Sequence, residues 1–291
     1  MDLDFDLAKR TREFAYTDTN FSYLSALVKA RSGINLSDAK RELVYGRVAK
    51  RLRSLGFTTF DQYCDFLEQG NEEELTHFIN AITTNVTDFF RENHHFEFLS
   101  NTWLPELMAD KAEAEGSDKR RLRIWSAGCS SGEEPYSIAI TLRENIPDIH
   151  RWDIKILATD LDSSIVEKAQ AGIYPLERVR DLPQAHLKRW FRLGLGGNTG
   201  TASVCDEIKR MVTFKTLNLM EEWPIKGPFD AIFCRNVIIY FDKPTRATMI
   251  NRFEKMLEVG AYFFIGHSES LFGANKSFKL VGRTIHRKVD L

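Results

Sequence analysis

The stretch that decides the fold is IWSAGCSSGEEPYSIAI, residues 124–140. An apolar run ends in small residues, glycines follow, and a helical pattern begins near Glu133 and Glu134. This order predicts a β-strand, a tight turn and an α-helix, because glycine lets a backbone turn sharply and approach a ligand. In open α/β sheets, ligands bind at such turns, beyond the carboxyl ends of the strands. The stretch therefore predicts an α/β fold with a ligand site here.

Strands and helices go on alternating after this turn. WDIKILATDLD, FDAIFCRNV and AYFFIGHS are predicted strands, and SSIVEKAQAG and TRATMINRFEKMLEVG are predicted helices. The alternation indicates a mostly parallel, doubly wound α/β domain over residues 121–291. Residues 172–217 interrupt it with GLGGNTG, SVCDEI and RMVTFKTL, and we predict that they form a small, hairpin-rich β-subdomain inserted in this domain.

The N-terminal third has a different pattern. Residues 1–92 are predicted to form an all-helical domain, with Gly33 and Gly56 as helix ends and Ser37 as an N-cap. Residues 93–120 begin with a helical pattern and become charged, so they are predicted to be a linker. A length of 291 residues suits two domains.

The composition limits the function classes. The chain has 40 Lys and Arg against 41 Asp and Glu, whereas nucleic-acid binders usually carry a basic surplus. The four cysteines are far apart, and the adjacent His94 and His95 lack a metal-binding spacing, so we predict no metal site. No apolar run approaches the roughly 18 residues of a membrane span, and the N-terminus lacks a secretion signal. We expect a cytoplasmic protein without membrane insertion.

Charged and polar residues follow the predicted strands. Glu133 and Glu134 would repel a pyrophosphate and suit a ligand with hydroxyls, an ammonium or a sulfonium; the alternative is that they only stabilise a helix N-terminus. Asp160 ends the next strand, where an acid can bind ribose hydroxyls. Arg235 and Asn236 follow a later strand and could meet a substrate, unless Arg235 pairs with a nearby acid.

One helical stretch is strongly basic. At helical spacing Lys40, Arg47, Lys50 and Arg51 fall on one face, beside an apolar stripe of Val44, Val48, Leu52 and Leu55. This face could dock an acidic partner, or it could be an ordinary solvated surface.

Taken together, these motifs resemble the chemotaxis receptor methyltransferase family (CheR). They are TTNVTDFFRE, IWSAGCSSGEEPYSIAI, ILATDLD, YP and FDAIFCRNVIIYF, in this order, from about residue 20 to the end of the chain. The resemblance implies transfer of a methyl group from S-adenosylmethionine to glutamate side chains of bacterial chemoreceptors, giving methyl esters and S-adenosylhomocysteine. It also implies a helical N-terminal domain and a Rossmann-like methyltransferase domain with an inserted antiparallel β-subdomain.

The resemblance also implies site residues and partners. We hypothesise that Arg91 and Tyr240 hold the incoming glutamate, that the basic face docks on the cytoplasmic domain of a transmembrane receptor, and that the β-subdomain binds a receptor C-terminal pentapeptide. We expect a monomer. The implied cofactor-binding residues are Asn85, Thr87, Arg91, Glu133, Glu134, Asp160, Asn218, Leu219, Arg235 and Asn236.

Rival functions fit less well. A base N-methyltransferase would carry an [DNS]-P-P-[YFW] motif where this chain has CRNV, and a cytosine C5-methyltransferase needs a Pro-Cys pair that the sequence lacks. A nicotinamide-dependent oxidoreductase would need a G-x-G-x-x-G turn in place of SAGCSSG. A methyltransferase of another protein substrate, or a receptor-binding scaffold without activity, remains as an alternative.

Overall fold

The computed structural model describes residues 12–112, 120–271 and 276–290. The chain divides into two compact units, Met1–Thr83 and Thr84–Leu291. The first unit thus ends before the boundary predicted at residue 92. Residues 84–92 belong to the second unit because Phe89 packs on Tyr174 and Phe191, with ring centroids 4.9 and 5.3 Å apart.

The first unit is helical, as predicted. Thr59 and Asn71 cap two of its helices through side-chain oxygens, and Gly33 and Gly56 end two others in the left-handed conformation. Ser37 makes no side-chain cap, because a 3-10 turn, Asp38–Lys40, separates it from the helix that follows. The helices are α1 Asp18–Ser32, α2 Arg41–Leu55, α3 Phe60–Glu68 and α4 Glu72–Ile82.

The core of this unit follows the predicted apolar stripe. Val44, Val48 and Leu52 of α2 are fully buried against aromatic residues of α3 and α4, whereas Leu55 is exposed at the end of α2. Burial of a Val or Leu side chain stabilises a fold by about 1.5–3 kcal/mol, so this stripe holds α2 in place.

The second unit is an α/β domain. Its helices are α5 His94–Phe98, α6 Leu104–Ala112, α7 Glu133–Asn145, α8 Ser163–Ala171, α9 Leu176–Val179, α10 Gln184–Trp190, α11 Asp206–Lys209 and α12 Lys243–Met256. Its strands are β1 Arg120–Ala127, β2 Trp152–Asp160, β3 Ile173–Pro175, β4 Phe191–Leu193, β5 Thr201–Val204, β6 Val212–Thr216, β7 Phe229–Cys234, β8 Leu257–Ile265, β9 Phe278–Gly282 and β10 Ile285–Lys288.

The strand order fixes where a ligand can bind. Within the described residues, the main sheet has the order β6-β2-β1-β7-β8-β10-β9. The first five strands in this order are parallel, and β10 pairs antiparallel with both β8 and β9. The chain runs outward in opposite directions from β1 and from β7. The crevice between these two strands is therefore the topological switch point, where open α/β sheets bind ligands at the carboxyl edge. The predicted mostly parallel sheet is confirmed.

Three details differ from the sequence prediction. Strand β6 belongs to the main sheet and not to the inserted subdomain, because Val212 and Phe214 bury one face of it while it pairs with β2. The insertion keeps a small antiparallel sheet, β3-β5-β4, and adds helices α9 to α11. The predicted linker contains α5 and α6, joined by a π-helical stretch Leu99–Trp103.

Over the three described ranges, no helix combines the length and the apolarity of a membrane span.

Candidate active site

The turn after β1 packs tightly against two neighbouring strand ends. Gly128 has a φ of 85°, and a Cβ atom there would lie 2.2 Å from Cγ2 of Val237, so glycine is required for two reasons. The backbone N–H groups of Gly128 and Cys129 donate to the Thr159 carbonyl at 2.7 and 2.9 Å. Burial raises the pKa of the Cys129 thiol well above its ordinary value, so this cysteine is a packing residue.

Asp160 lies at the end of β2, as predicted. One carboxylate oxygen accepts from Ser130 N at 2.8 Å and the other from Asp162 N at 3.1 Å. Burial raises the pKa of Asp160, and these hydrogen bonds act in the opposite direction. Because each carboxylate oxygen can accept two hydrogen bonds, the group keeps acceptor capacity for ligand hydroxyls. Asp160 therefore suits the predicted ribose contact while it also holds the turn in place.

Glu134 and Arg235 form a buried ion pair. Arg235 Nη1 donates to Glu134 Oε2 at 2.9 Å, and Ser126 Oγ donates to Oε1 at 2.7 Å. Arg235 is 6% exposed and also donates to the Arg91 carbonyl. This is the alternative considered for Arg235, a cation that pairs with an acid. Its guanidinium joins the first turn of α7 to the segment around Arg91.

The side chain of Glu133 has different partners from that of Glu134. It is 1% exposed, and its oxygens accept from Ser131 Oγ and Arg178 Nη2, each at 2.6 Å. Arg178 also donates to the Thr87 carbonyl and pairs with Asp88 at 3.0 Å. Glu133 therefore holds α9 of the inserted subdomain against the 85–91 segment.

The segment 85–92 lies along the carboxyl edge of the sheet. Asn85 Nδ2 donates to Asp162 Oδ2 at 2.9 Å, and Ser130 Oγ donates to the Asn85 carbonyl at 3.1 Å. Thr87 is buried, and Arg91 Nη1 donates to the Val86 carbonyl at 2.7 Å. Asn85, Thr87 and Arg91 are therefore brought to the edge that also carries Asp160 and Glu134.

Strained backbone marks the same edge. Six described residues other than glycine have left-handed backbones, and four of them lie at this edge, namely Phe90 at φ 53°, Glu92 at 56°, Ser130 at 49° and Asn236 at 58°. Each such residue costs on the order of 1–3 kcal/mol and persists only where the surrounding structure imposes it. Their concentration around one crevice indicates a functional site.

Asn218 and Leu219 complete the edge beside Asp160. Leu217 N donates to the Asp160 carbonyl at 2.8 Å, which continues the pairing of β6 with β2. Asn218 accepts from Met220 N at 3.0 Å, and Leu219 is buried. Only the family resemblance pointed to these two residues. Assigning RMVTFKTL to the main sheet would have placed them at a strand end from sequence alone.

Glu92, His94 and His95 have side-chain donor atoms within 4.8 Å of one another. The rings of the two adjacent histidines lie 4.1 Å apart. His95 Nε2 lies 2.9 Å from Thr284 Oγ1, and Glu92 contacts His267 at 2.9 Å and Arg235 at 3.6 Å. A guanidinium beside the carboxylate disfavours a second cation, so these groups fasten α5 and the 90–92 turn.

The four basic residues of the predicted docking face fall into two classes. Lys40 and Lys50 are exposed. Arg47 Nη1 donates to the carbonyls of Ala81 and Ile82 at 2.9 and 2.6 Å, which satisfies the C-terminus of α4.

Arg51 donates to the buried carboxylate of Glu74 at 2.9 Å. This corrects the predicted docking face, because Arg47 and Arg51 stabilise the helical unit and only the two lysines present their charge to solvent.

The chain is similar to one family along nearly its whole length. A model described as "CheR methyltransferase, all-alpha domain" matches residues 19–83, and one described as "CheR methyltransferase, SAM binding domain" matches residues 85–287. "Chemotaxis protein methyltransferase 2" of Pseudomonas aeruginosa is 43% identical over 94% of this chain and 95% of that protein. "Chemotaxis protein methyltransferase" of Escherichia coli is 41% identical over 96% of this chain and 94% of that protein.

Proposed function

Because the chain belongs to the CheR methyltransferase family, we propose that it methylates glutamate side chains of bacterial chemoreceptors, using S-adenosylmethionine. The observation that carries this proposal is the family match over both units, together with a switch-point crevice that gathers the cofactor motifs. The α-helical unit would contact the receptor, and the α/β unit would perform the methyl transfer.

The crevice residues suit S-adenosylmethionine. Asp160 keeps acceptor capacity for ribose hydroxyls, and the half-buried Asn218 and buried Leu219 stand beside it where an adenine ring would follow. Asn85, Thr87 and Arg91 line the same edge. Buried Glu134 is paired with Arg235 and holds the first turn of α7 at this edge. When bound, the cofactor supplies an electrophilic methyl group on a sulfonium.

The protein's own task is to position the substrate. A glutamate carboxylate has a pKa of about 4.3 and is already ionised at neutral pH, so no general base is required. Arg91 and Tyr240 would orient the carboxylate oxygen towards the methyl carbon and exclude water, and such alignment can contribute about 7–11 kcal/mol at most. Arg91 is itself oriented by the Val86 carbonyl, and Tyr240 ends the 3-10 turn Ile238–Tyr240 after β7.

The positioning roles can be tested by Arg91→Ala and Tyr240→Phe. We expect turnover at saturating receptor to fall on the order of 100-fold for Arg91→Ala, with a smaller loss for Tyr240→Phe. Cofactor binding is measured in parallel by calorimetry. Near-normal turnover in both variants would contradict the assignment.

We assign receptor docking to Lys40 and Lys50 of the helical unit. They are exposed cations, whereas Arg47 and Arg51 are engaged within the unit. Methylation sites lie on acidic receptor helices by the family resemblance, so docking should weaken as ionic strength rises.

The β-subdomain would bind a receptor C-terminal pentapeptide. Strands β3 and β4 form the edges of its sheet in the described residues, and Ile173, Leu193 and Leu195 are exposed there. A peptide can add a strand to such an edge and gain main-chain hydrogen bonds, with apolar side chains covering exposed apolar surface. Calorimetry with the peptide tests this, and the absence of any binding heat at several temperatures would refute it.

One experiment tests the function as a whole. The protein is incubated with methyl-labelled S-adenosylmethionine and receptor cytoplasmic fragments, and the labelled receptor is then treated with mild base. We expect release of labelled methanol, because methyl esters hydrolyse in base whereas N-methyl groups do not. Label that stays on the receptor, or no label at all, would contradict the proposal.

A further inference from the structure

One buried carboxylate outside the cofactor crevice organises the loop that carries Tyr240. Glu269 follows β8, is 7% exposed, and accepts four backbone hydrogen bonds. Oε2 accepts from Asn236 N at 2.9 Å and Gly266 N at 2.6 Å. Oε1 accepts from Val237 N at 2.9 Å and Ile239 N at 3.2 Å.

These hydrogen bonds fix the loop 236–240, which does not pair with a strand among the described residues. The loop 236–240 runs from β7 towards α12, begins with the left-handed Asn236, and ends in a single 3-10 turn. Three of its N–H groups donate to Glu269, and Tyr240 N donates to the Val237 carbonyl at 3.2 Å. Asn236, Val237 and Ile239 thus donate directly to Glu269, and Tyr240 donates to a residue that Glu269 holds.

A close backbone contact supports the same arrangement. A Cβ atom at Gly266 would lie 2.4 Å from Asn236 Nδ2 and 2.8 Å from Asn236 N. The turn after β8 is thus pressed against the start of the loop, and the two carboxylate oxygens of Glu269 accept N–H bonds from both segments. An ionised carboxylate makes stronger hydrogen bonds to N–H groups than a neutral acceptor does.

We propose that Glu269 is a positioning residue for methyl transfer, which places Tyr240 by holding the backbone of residues 236–239. The proposal rests on the proposed function, in which Tyr240 contacts the substrate carboxylate. Glu269 itself does not need to touch substrate or cofactor. The competing explanation is that Glu269 contributes only to the stability of the fold.

A double-mutant cycle separates these explanations. Glu269→Gln replaces an oxygen by an NH₂ group that faces N–H donors, so about half of the four hydrogen bonds are lost. We expect kcat with receptor fragments to fall roughly tenfold or more, with a cofactor Kd within about twofold of wild type. In a Tyr240→Phe background, the same change should cost less than about twofold, because the effects of two residues that act through one network are not additive.

Two further variants control the result. Glu144→Gln changes a carboxylate in the same unit that accepts from Trp190 Nε1 at 2.8 Å, and it should leave kcat unchanged. Gly266→Ala should displace the loop while the side chain of Glu269 stays the same. It should reproduce the loss of kcat and the dependence of that loss on Tyr240. Thermal unfolding is recorded for every variant.

Amide hydrogen exchange gives a readout that does not depend on activity. Glu269→Gln should accelerate exchange at residues 236–240 and leave exchange in β7 unchanged. Unchanged exchange at residues 236–240 in Glu269→Gln would overturn the proposal. Failure of the wild-type protein to methylate receptors would instead contradict the proposed function, and the exchange measurement does not depend on that outcome. Additive losses in the cycle, a silent Tyr240→Phe, or an equal loss of kcat in Glu144→Gln would also overturn it.

Discussion

Two Arg–Glu pairs, one in each unit, each contain a buried carboxylate and have different consequences. In the helical unit, Glu74 accepts from Arg51 at 2.9 Å and from the Tyr63 hydroxyl at 2.7 Å. In the α/β unit, Glu134 accepts from Arg235 at 2.9 Å and from the Ser126 hydroxyl at 2.7 Å.

The surroundings of the two pairs decide their roles. The first pair joins α2 to α4. The second joins α7 to the Arg91 segment, where the cofactor motifs meet. Chemically similar pairs therefore differ in function because of what they connect, and four experiments test this difference.

The largest effect is expected at the sheet edge. Arg235→Met leaves Glu134 buried without its charge partner, which should destabilise the α/β unit by about 3–5 kcal/mol. It should also lower methyl transfer on the order of 100-fold, because the Arg91 segment loses its anchor. Denaturant unfolding and a methyl-transfer assay measure the two effects, and cofactor calorimetry should show weaker binding. Arg235→Lys, which keeps the charge, serves as the control, and unchanged cofactor binding in Arg235→Met would break the comparison.

The matching change in the helical unit should affect stability alone. Arg51→Met leaves the carboxylate of Glu74 with only the Tyr63 hydroxyl, and we expect a loss of about 2–3 kcal/mol in the free energy of unfolding of that unit. The cofactor Kd should stay as in wild type. Arg53→Met on the same helix, where Arg53 pairs with exposed Glu13, is the control and should change little. A weaker cofactor affinity in Arg51→Met would show that the two pairs are not separate.

The sheet-edge pair also has a histidine beside it. Burial first, and then the charge of Arg235, lower the pKa of His95 to about 3, so its protonation is disfavoured in the folded state. As pH falls from 6.5 to 5, the unfolded chain takes up the proton more readily, and His95 should cost about 2 kcal/mol of stability. His95→Gln should flatten this dependence, measured by unfolding at several pH values. His77→Gln, at an exposed position, is the control; a slope that His95→Gln leaves unchanged would refute the prediction.

The smallest effect is expected on the surface of the helical unit. Lys40→Glu with Lys50→Glu should raise the KM for receptor roughly fivefold at low salt, corresponding to about 1 kcal/mol of exposed ion pairing. The effect should fade at high salt, and the unfolding free energy should hold. Arg47→Glu with Arg51→Glu should instead destabilise the unit, since both arginines have internal partners. Equal changes in KM with unaltered stability in both double variants would contradict the distinction between the two lysines and the two arginines.

Much of the architecture could be predicted because periodicity and turn residues are local. The strands of the parallel sheet, the helix ends at Gly33 and Gly56, and the acid at Asp160 all follow from patterns within a few residues. Strand β6 could not be assigned in this way, because a short alternating strand looks the same in a hairpin and at the edge of a large sheet. That ambiguity also concealed Asn218 and Leu219.

The sequence by itself determined the α/β class, the helical N-terminal unit, the family and the motifs that meet at the carboxyl edge. Tertiary structure decided which charged side chains are available there. Four charged residues were predicted to be surface or ligand-binding groups, yet each contacts a partner more than 20 residues away along the chain: Arg47, Arg51, Glu133 and Arg235. The physical reason is that an ion pair depends on distances in space, which spacing along the chain does not specify.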